Sequence, residues 1–441
     1  MFRPRAKFLL FISFFSGAST LFAQTNSTSN PTSDRENDPY SKFGIGNLQN
    51  GNSTVLKGMA NMTSAFENPY ELNTDNPASY SFIKRTTFEA GMSANSRRIN
   101  SQGIINSTGS ATLSYLTLGV PVNNNAGIVF GFKPYAHTYY SLTDTLFGSA
   151  SPLGETVRSY NGDGGLNFGY VGAGYRYKEL SIGFNFGYLF GTLHSNALAY
   201  TVVDSTGSNR AYTAEFTNYN RIGGLYWKGG LMYEHKMDSS GLTLRVGGTV
   251  TLGQNVNERL SSYQISIYNF GDTIVNDTSA SSGESRGKMK LPLSYSAGVM
   301  LVKDNKWGIG VDYTATQWSG FHSGVDSSMN FAIAKSAYKV SLGGEFTPDY
   351  NSLRNYFARV TYRAGVYFGK EYLTFQNTQL PVYGVTLGAS LPFRRSLSHL
   401  HTSLEVGRMG TTANNLIQET YVRFSLGLSF NDLWFIKRKY D

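Results

Sequence analysis

The chain has 441 residues, no cysteine and a formal net charge of +9. The absence of cysteine excludes disulfide bridges, thiolate nucleophiles and thiolate metal sites. The basic residues are scattered and not clustered, so the charge gives no reason to expect nucleic-acid binding. No stretch beyond the first residues has the ~20 consecutive apolar residues of a transmembrane helix.

The start of the chain predicts a secretory signal peptide over residues 1–23. Basic residues precede an apolar run over residues 8–15, and small residues follow up to Ala23. This is the order of a charged region, an apolar region and a cleavage site. An uncleaved membrane anchor is the alternative, but the run is too short to span a bilayer as a helix. We expect an exported protein that is cleaved after Ala23.

Two segments of different composition follow. Residues 24–37 are rich in Ser, Thr and Asn and predict a disordered lead-in. Residues 38–85 have enough apolar side chains to pack, but glycine and asparagine interrupt any sustained strand. We interpret residues 38–85 as a compact hatch or plug.

From residue 86 to about residue 436, apolar side chains recur at every second position. The alternation is clearest in residues 180–190, 242–252, 307–314 and 422–430. Alternation in segments about ten residues long predicts an all-β transmembrane barrel with a lipid face and a lumen face. A soluble β-sandwich is the alternative, but its strands are usually shorter.

Short and long connections alternate between the predicted strands. Short turns are predicted near residues 123–125, 178–179, 238–241, 304–305, 348–351 and 394–396, and long connections near residues 142–158, 203–211, 269–287, 318–335, 369–379 and 408–417. Bacterial barrels alternate in this way because periplasmic turns are tight and extracellular loops are long. The spacing predicts fourteen antiparallel strands in the outer membrane, with both termini and a basic tail at residues 437–441 in the periplasm. The apolar pattern of residues 166–177 changes phase midway, which predicts a bulge or kink.

Aromatic residues near the predicted strand ends indicate belts at the two membrane interfaces. Amphipathic rings favour the headgroup region because one part of the ring is apolar and the other is polar. The residues are Tyr139, Tyr140, Tyr226, Trp227, Tyr263, Tyr268, Trp318, Tyr367, Tyr372, Trp434 and Phe435.

Several short motifs resemble the FadL family of outer-membrane long-chain fatty-acid transporters. The hatch carries Gly58-Met59 and Asn76-Pro77-Ala78, and the second motif is similar to the Asn-Pro-Ala signature that precedes the first strand in that family. Residues 310–313 followed by Trp318-Ser319 are similar to a late strand of the family. The opening at residues 38–46 and the ending at residues 431–435 look like its Bacteroidetes branch.

The resemblance implies a fourteen-stranded monomer whose lumen is blocked by an N-terminal hatch. A hydrophobic compound such as a fatty acid would bind from outside, the hatch would shift, and the ligand would leave through a gap in the barrel wall. An apolar route keeps such a chain out of water, which is worth about 0.8 kcal/mol per methylene. The implied surroundings are outer-membrane lipid and lipopolysaccharide, and no cofactor is implied.

Charged residues fall on the polar phase of several predicted strands. They are Arg245, Arg359, Arg363, Arg423, Asp312, Glu345 and Glu405. A lumenal arginine can bind a ligand carboxylate because its fork matches that geometry, and Arg359 and Arg363 are the candidates. The alternative is that these charges pair with one another inside a plugged lumen.

Two further patterns bear on metal binding and on enzymatic activity. His399 and His401 share one face of a predicted strand, the spacing of a metal pair, but no third ligand is near in sequence, so we predict no metal site. Residues 320–324 place His322 beside Ser323, yet no Gly-x-Ser-x-Gly elbow is present, so we expect a protein that is not an enzyme. The other function that fits the resemblance is a scaffold or shuttle protein of the type IX secretion system.

Overall fold

The computed structural model describes residues 37–49, 51–146, 156–201, 212–237, 241–268, 284–394 and 396–434. The predicted signal peptide, almost all of the predicted lead-in and the basic tail lie outside the described residues. Among the described residues, no helix has the length and apolar character needed to cross a membrane.

The described residues form eighteen antiparallel strands. In chain order they are β1 (Asn47–Leu48), β2 (Thr86–Ser101), β3 (Ile104–Asn123), β4 (Ala126–Leu146), β5 (Thr156–Tyr177), β6 (Leu180–Thr201), β7 (Tyr212–Met237), β8 (Leu242–Thr251), β9 (Gln254–Tyr268), β10 (Ser285–Leu291), β11 (Leu293–Lys303), β12 (Trp307–Gln317), β13 (His322–Ser323), β14 (Ala337–Phe346), β15 (Thr361–Phe375), β16 (Thr378–Pro392), β17 (His399–Gly410) and β18 (Gln418–Asp432).

These strands build a closed barrel of fourteen, as the sequence predicts. Strands β8 and β9 both pair with β7 and act as one barrel strand. Strands β10 and β11 likewise form one barrel strand, interrupted at Pro292, which has no N–H to donate to the ladder. The two-residue strands β1 and β13 are additions to the sheet. The barrel closes because β18 pairs with β2 along its whole length.

The closure defines two rims. Thr86, at the start of β2, pairs with Asp432, at the end of β18, so both lie at one rim. This turn rim also carries the connections that follow β3, β5, β7, β11, β14 and β16, and the loop rim carries the remaining connections between barrel strands.

Side chains alternate between the outside and the inside of the barrel. Phe184, Phe186 and Phe190 of β6 are exposed on the outer face, as are the equivalent residues of other strands, Val246, Val250, Ile309, Val311, Val422 and Phe424. Small polar side chains such as Ser93, Ser181 and Ser425 are buried on the inner face. The alternation that the sequence predicts is therefore confirmed.

Residues 37–49 and 51–85, called here the lumenal segment, lie inside the barrel and contact strands around its whole circumference. They include a 3-10 helix at Pro39–Lys42, helix α1 at Thr54–Lys57 and a 3-10 helix at Pro77–Phe82. Other 3-10 helices lie at Trp318–Gly320, Ser327–Asn330, Phe357–Arg359 and Ala413–Asn415. The segment crosses the lumen from near the loop rim to the turn rim.

The two ends of the described chain are at opposite rims. The side chain of Asn37 donates to the carbonyl of Ser141, which lies about 50 Å along β4 from the turn rim at roughly 3.4 Å per residue. The last described residues follow Asp432 at the turn rim. The termini of the chain lie outside the described residues, so the expectation that both are periplasmic stays a prediction.

Two local expectations were wrong. The long connection near residues 369–379 is a tight hairpin, because β15 and β16 extend to Phe375 and from Thr378. Strand β5 keeps one phase from start to end; its apparent change arises because Leu166 and Phe168 put apolar side chains into the lumen. The register shift is in the neighbouring strand β4, at Tyr135.

Several of the predicted belt aromatics face the lumen instead of lipid. Trp318, Tyr372, Tyr367 and Tyr140 are buried. Trp318 lies in the 3-10 helix that follows β12, and this helix turns its ring over the lumen, where it stacks on Tyr372. Position at a strand end therefore did not predict exposure to the membrane interface.

Candidate functional site

The barrel wall has a gap between β3 and β4. The two strands pair from Asn123 up to Leu116, which is opposite Phe132, and no further. Beyond that point β4 contains Pro134, which cannot donate to a ladder, and Tyr135, a bulge in the pairing with β5 of the kind that bends a strand locally.

The lumenal segment covers the β4 side of this gap. Strand β1 pairs with Ala136 and His137 of β4, and the N–H of Gln49 donates to the carbonyl of Tyr135 at 3.0 Å. The N–H of Asp38 donates to Tyr139 in the same way. The edge of β3 has no such partner among the described residues, so the gap is a slot with one occupied and one free edge.

A cavity of about 360 Å³ lies in this slot. Its walls include Leu113, Pro134 and Ala136 at the level of the gap. Its floor is polar: the buried ammonium of Lys57 donates to the hydroxyls of Ser93 and Ser114, each at 2.9 Å. The slot therefore joins an apolar wall to a polar, positively charged floor.

A second cavity, of about 600 Å³, lies at the loop rim. We call it the outer cavity. Phe43, Leu193 and Phe331 are among the apolar side chains that line it, and the ammonium of Lys42 lies 3.8 Å from the ring centroid of Tyr160. Burial lowers the pKa of Lys42, and the charge of Arg158 lowers it further.

An apolar cluster lies beneath the outer cavity. The ring of Trp318 stacks on Tyr372 with centroids 4.1 Å apart, and Phe43 meets Phe375 edge to face at 4.8 Å. The hydroxyl of Tyr372 donates to the carbonyl of Gly46 at 2.5 Å and to that of Phe43 at 3.2 Å. Through these contacts Phe43 and Gly46 of the lumenal segment are joined to β15.

Ion pairs fix the lumenal segment to the barrel. Glu71 of the segment pairs with Arg363 of β15 at 3.2 Å, and Arg363 also pairs with Glu345 of β14 at 3.0 Å. The imidazole of His401 lies 3.8 Å from Glu71. Burial alone raises the pKa of Glu71, but Arg363, the two histidines His401 and His399 and a hydrogen bond from Ser390 together hold that pKa below its usual range.

Three further carboxylates of the segment make similar contacts. Glu67 pairs with Arg245 of β8, Asp38 pairs with Arg97 of β2, and Asp75 pairs with Lys228 of β7 at 2.7 Å. The four cations lie on β2, β15 and the neighbouring strands β7 and β8. They hold the segment from several sides.

The pKa values of these groups are shifted in different directions. Burial raises the pKa of Glu67 more than Arg245 lowers it. For Asp75 burial also acts upward, but the charges of Lys228 and Lys133 keep its pKa below the usual range. For Lys57, burial and the nearby charge of Arg423 lower the pKa to about 7.

The Asn76-Pro77-Ala78 motif is at the centre of the packing between segment and wall. The Asn76 side chain accepts from the N–H of Ala78 at 3.0 Å and donates to the carbonyls of Ser64 at 2.6 Å and Leu231 at 3.2 Å. A Cβ on Gly183 of β6 would lie 2.2 Å from the Pro77 carbonyl carbon. The motif can approach β6 this closely because Gly183 has no side chain.

The other predicted hatch motif, Gly58-Met59, lies against β15 and β16. The Cα of Gly388 would be 3.0 Å from a Cβ on Gly58, so glycines on both sides permit the close approach. Met59 is fully buried and belongs to a cluster with Leu56 and Phe66. Both motifs therefore serve the fit of the segment in the lumen.

The two candidate ligand arginines have different surroundings. Arg363 is engaged by Glu71 and Glu345, which agrees with the alternative that lumenal charges pair with one another. Arg359 lies in a 3-10 helix before β15, so the expectation that it occupies the polar phase of a strand was wrong. A ligand-binding role for either arginine remains a prediction.

The two histidine patterns are part of the barrel structure. His401 hydrogen-bonds Ser390 at 2.6 Å and Ser429 at 3.1 Å, so both of its ring nitrogens are used. In the part of the chain that the structure describes, no three His, Cys, Asp or Glu side chains are placed to hold a metal ion. The hydroxyl of Ser323 donates to Glu258 at 2.7 Å, and His322 is exposed on the opposite side of β13.

Comparison with known proteins gives a family and a fold. The model of the BamG family matches residues 6–441. None of the curated proteins compared with this chain matches it.

Three solved structures illustrate the similarity of fold. A FadL homologue of Pseudomonas aeruginosa has a TM-score of 0.56 at 13% identity, with 88% of this chain and 99% of that chain covered. The toluene transporter TodX of Pseudomonas putida has a TM-score of 0.55 at 14% identity, with 89% and 99% covered. The toluene transporter TbuX of Ralstonia pickettii has a TM-score of 0.51 at 12% identity, with 86% and 98% covered.

Identities this low establish a common fold and nothing finer. The resemblance to FadL-type barrels that the short motifs indicate is confirmed at the level of the fold. The assignment to a Bacteroidetes branch stays a prediction.

Proposed function

The chain belongs to the BamG family, and from its FadL-like fold we propose that it is an outer-membrane protein that lets hydrophobic compounds cross by passive diffusion. The exposed apolar face of the strands would contact lipid, and the termini of the barrel domain would face the periplasm. The solved structures with this fold include toluene transporters, which supports transport over enzymatic activity.

The proposed route has three parts. A compound collects in the outer cavity, whose apolar walls favour it over water. It then displaces the part of the lumenal segment around Phe43, where the segment is held by aromatic contacts and the hydroxyl of Tyr372. It leaves through the gap between β3 and β4 into the membrane.

The gap is the observation that carries this proposal. A fully paired wall has no path for a compound to leave sideways, because strand pairing satisfies every backbone group and brings the side chains into contact. Here pairing ends at Leu116, and a cavity extends from that point into the lumen.

The residues that line the gap determine which kind of compound can pass through it. Its wall is apolar at Leu113 and Pro134, whereas its floor carries Lys57 and serine hydroxyls. A bare hydrocarbon would leave that floor without partners. A compound with an apolar chain and a polar head satisfies both, so we expect amphipathic molecules to pass in preference.

The test uses the absence of cysteine in this chain. Ser110 and His137 both line the gap, and cysteines placed there can be joined by a cleavable bifunctional thiol reagent. We expect joining them to lower uptake of a fluorescent dodecanoate by about tenfold or more, and cleavage to restore it. The matched control joins Leu118→Cys to Phe130→Cys, a pair in the region where β3 and β4 are already bonded.

Uptake that is unchanged when the gap is joined would contradict lateral exit. A second measurement addresses the plug: deleting residues 38–85 should leave a folded barrel with raised conductance in a planar bilayer. Unchanged conductance would contradict the assignment of the segment as a barrier.

A second candidate is a scaffold or shuttle role in the type IX secretion system. The four carboxylate–cation pairs of the lumenal segment favour it, because displacement of the whole segment would break buried ion pairs, each strongly destabilising when one partner is lost. Co-purification of secretion components from gently solubilised membranes, with no lipid or hydrocarbon bound, would support this role over transport.

A further inference from the structure

The outer part of β3 is a strand with one free edge. Residues 104–115 pair with β2 on one side, but on the side of β4 no described strand pairs with them. In a strand, alternate residues direct their N–H and C=O groups to each side. The free edge therefore presents about six donors and six acceptors to the slot.

Apart from a bulge at Ser114, at its inner end, this edge lacks the features that protect edge strands. Natural sheets block free edges with lysine, proline, bulges or a covering segment. Between Ile104 and Tyr115 the chain has no charged residue and no proline, and the residues near the loop rim are exposed on both faces. By contrast, the lumenal segment covers the facing edge of β4.

The position of the edge favours a polypeptide over lipid. The outward residues of β2 are apolar up to Ala94 and then change to Ser96 and Arg98, so this part of the hairpin extends beyond the apolar band. An extended chain can satisfy the free backbone groups there by adding as a further strand.

Along the edge of β3 the slot has a closed end, and only the cavity continues from there into the lumen. Pairing between β3 and β4 begins at Leu116 and closes this end. A segment that runs inward along β3 must therefore stop there. A closed end suits the end of a chain better than its middle.

The closed end of the slot carries a positive charge. The ammonium of Lys57 donates to Ser114 of β3, just beside Leu116, and to Ser93 of β2. Ser93 is also hydrogen-bonded to Ser425 of β18. Within the described residues no carboxylate lies within 4.0 Å of this ammonium, although it is buried. The charge and the hydroxyls are complementary to a carboxylate.

We propose that the slot binds the C-terminal segment of another protein, which adds as a strand along the free edge of β3 and brings its terminal carboxylate to Lys57. This inference goes beyond transport, because it assigns the gap a protein ligand. Occupation of the slot would also block lateral exit. The lowered pKa of Lys57 is consistent with it, since a buried ammonium without a carboxylate is disfavoured until one arrives.

The test measures retention of synthetic peptides on the protein in phospholipid nanodiscs. The probe is a pool of peptides about nine residues long, roughly 30 Å when extended, built from Ser, Thr, Val and Ile with a free C-terminal carboxylate. The comparison pool is the same with a C-terminal amide. We expect the carboxylate pool to be retained about tenfold better or more, because a hydrogen bond to a charged group is worth about 1.5–3 kcal/mol.

Two variants separate the parts of the site. Lys57→Met should reduce retention of the carboxylate pool to that of the amide pool, whereas Lys42→Met in the outer cavity should leave it unchanged. Ser107→Lys on the free edge should reduce retention of both pools. Its matched control is Ser96→Lys on β2, which pairs on both sides with β3 and β18.

Resistance of the barrel to SDS at room temperature checks that each variant is folded. Equal retention of the two pools, or a carboxylate preference that survives Lys57→Met, would overturn the proposal. Retention of decanoate with rejection of both peptide pools would also overturn it, and would leave the transport proposal standing.

Discussion

Replacing Glu71 by glutamine is the sharpest test of the ion pairs that hold the lumenal segment. Glu71 and Arg363 are both buried, with side chains 4% and 2% exposed. Glutamine keeps the shape of the side chain and removes its charge. Any change therefore reports the charge and not a cavity.

The expected magnitude follows from what remains around Arg363. Removing one partner of a buried ion pair costs about 3–5 kcal/mol, because the other charge is left uncompensated. In Glu71→Gln the arginine still has Glu345 at 3.0 Å, so we take the lower end, about 3 kcal/mol. That corresponds to a rise of roughly 150-fold in the population with a displaced segment. Arg363→Met leaves two carboxylates without their cation and should approach about 5 kcal/mol.

The assay is single-channel conductance in planar bilayers, with hydrogen exchange of the lumenal segment as the second readout. Openings should become far more frequent in Glu71→Gln, while the SDS resistance of the barrel is retained. The matched control is Glu179→Gln, an exposed carboxylate paired with His235, where solvent screening should leave the opening frequency unchanged. If Glu71→Gln opens no more often than this control, the ion pair does not hold the segment.

Three further changes test separate contacts. Gly183→Ala puts a Cβ against Pro77 and should weaken the seating of the segment, whereas Gly229→Ala, whose nearest neighbour would be 3.7 Å away, should not; both are measured by hydrogen exchange. Tyr372→Phe removes the single O–H donor that two carbonyls share and should loosen the aromatic contacts by about 1 kcal/mol, seen as faster uptake of the dodecanoate probe. Because the pKa of Lys57 falls to about 7 in the fold, the unfolded chain binds more protons between pH 7 and 10.5, so the free energy of unfolding should rise with pH there; in Lys57→Met the rise should be smaller, and equal slopes would contradict the lowered pKa of Lys57.

The barrel was predictable because the alternation of apolar and polar side chains is required within each strand separately. Every second side chain of a spanning strand must be apolar, so the pattern in residues 180–190 is visible without a partner strand. Strand number followed from the turns between those patterns. The fold could therefore be predicted without knowing which strands are neighbours.

The lumenal face was less predictable because both polar and apolar side chains can point into the lumen. Leu166 and Phe168 point inward and Trp318 covers the lumen, since the lumenal segment supplies an apolar partner there. A sequence rule that assigns apolar side chains to lipid misplaces such residues. The error arose where the inside of the barrel is itself a hydrophobic core.

The site residues of the lumenal segment had no periodic pattern to reveal them. Glu67, Glu71 and Asp75 acquire their roles from cations on three different strands, more than 150 residues away in the chain. The arginines were visible on the polar phase of their strands, but their partners were not. Long-range pairing of this kind is a property of the folded lumen.

The arrangement of these contacts limits how the segment can move. The carboxylates of Glu67, Glu71 and Asp75 hold its second half, and Asp38 holds its start. Between Asp38 and α1, the described contacts with the wall are the two residues of β1, neutral hydrogen bonds, aromatic packing and the ammonium of Lys42 on the ring of Tyr160. Each neutral hydrogen bond contributes only about 0.5–1.5 kcal/mol, so this stretch can shift while the ion pairs stay intact. It is also the stretch that borders the slot, and opening there would join the outer cavity to the gap without release of the segment as a whole.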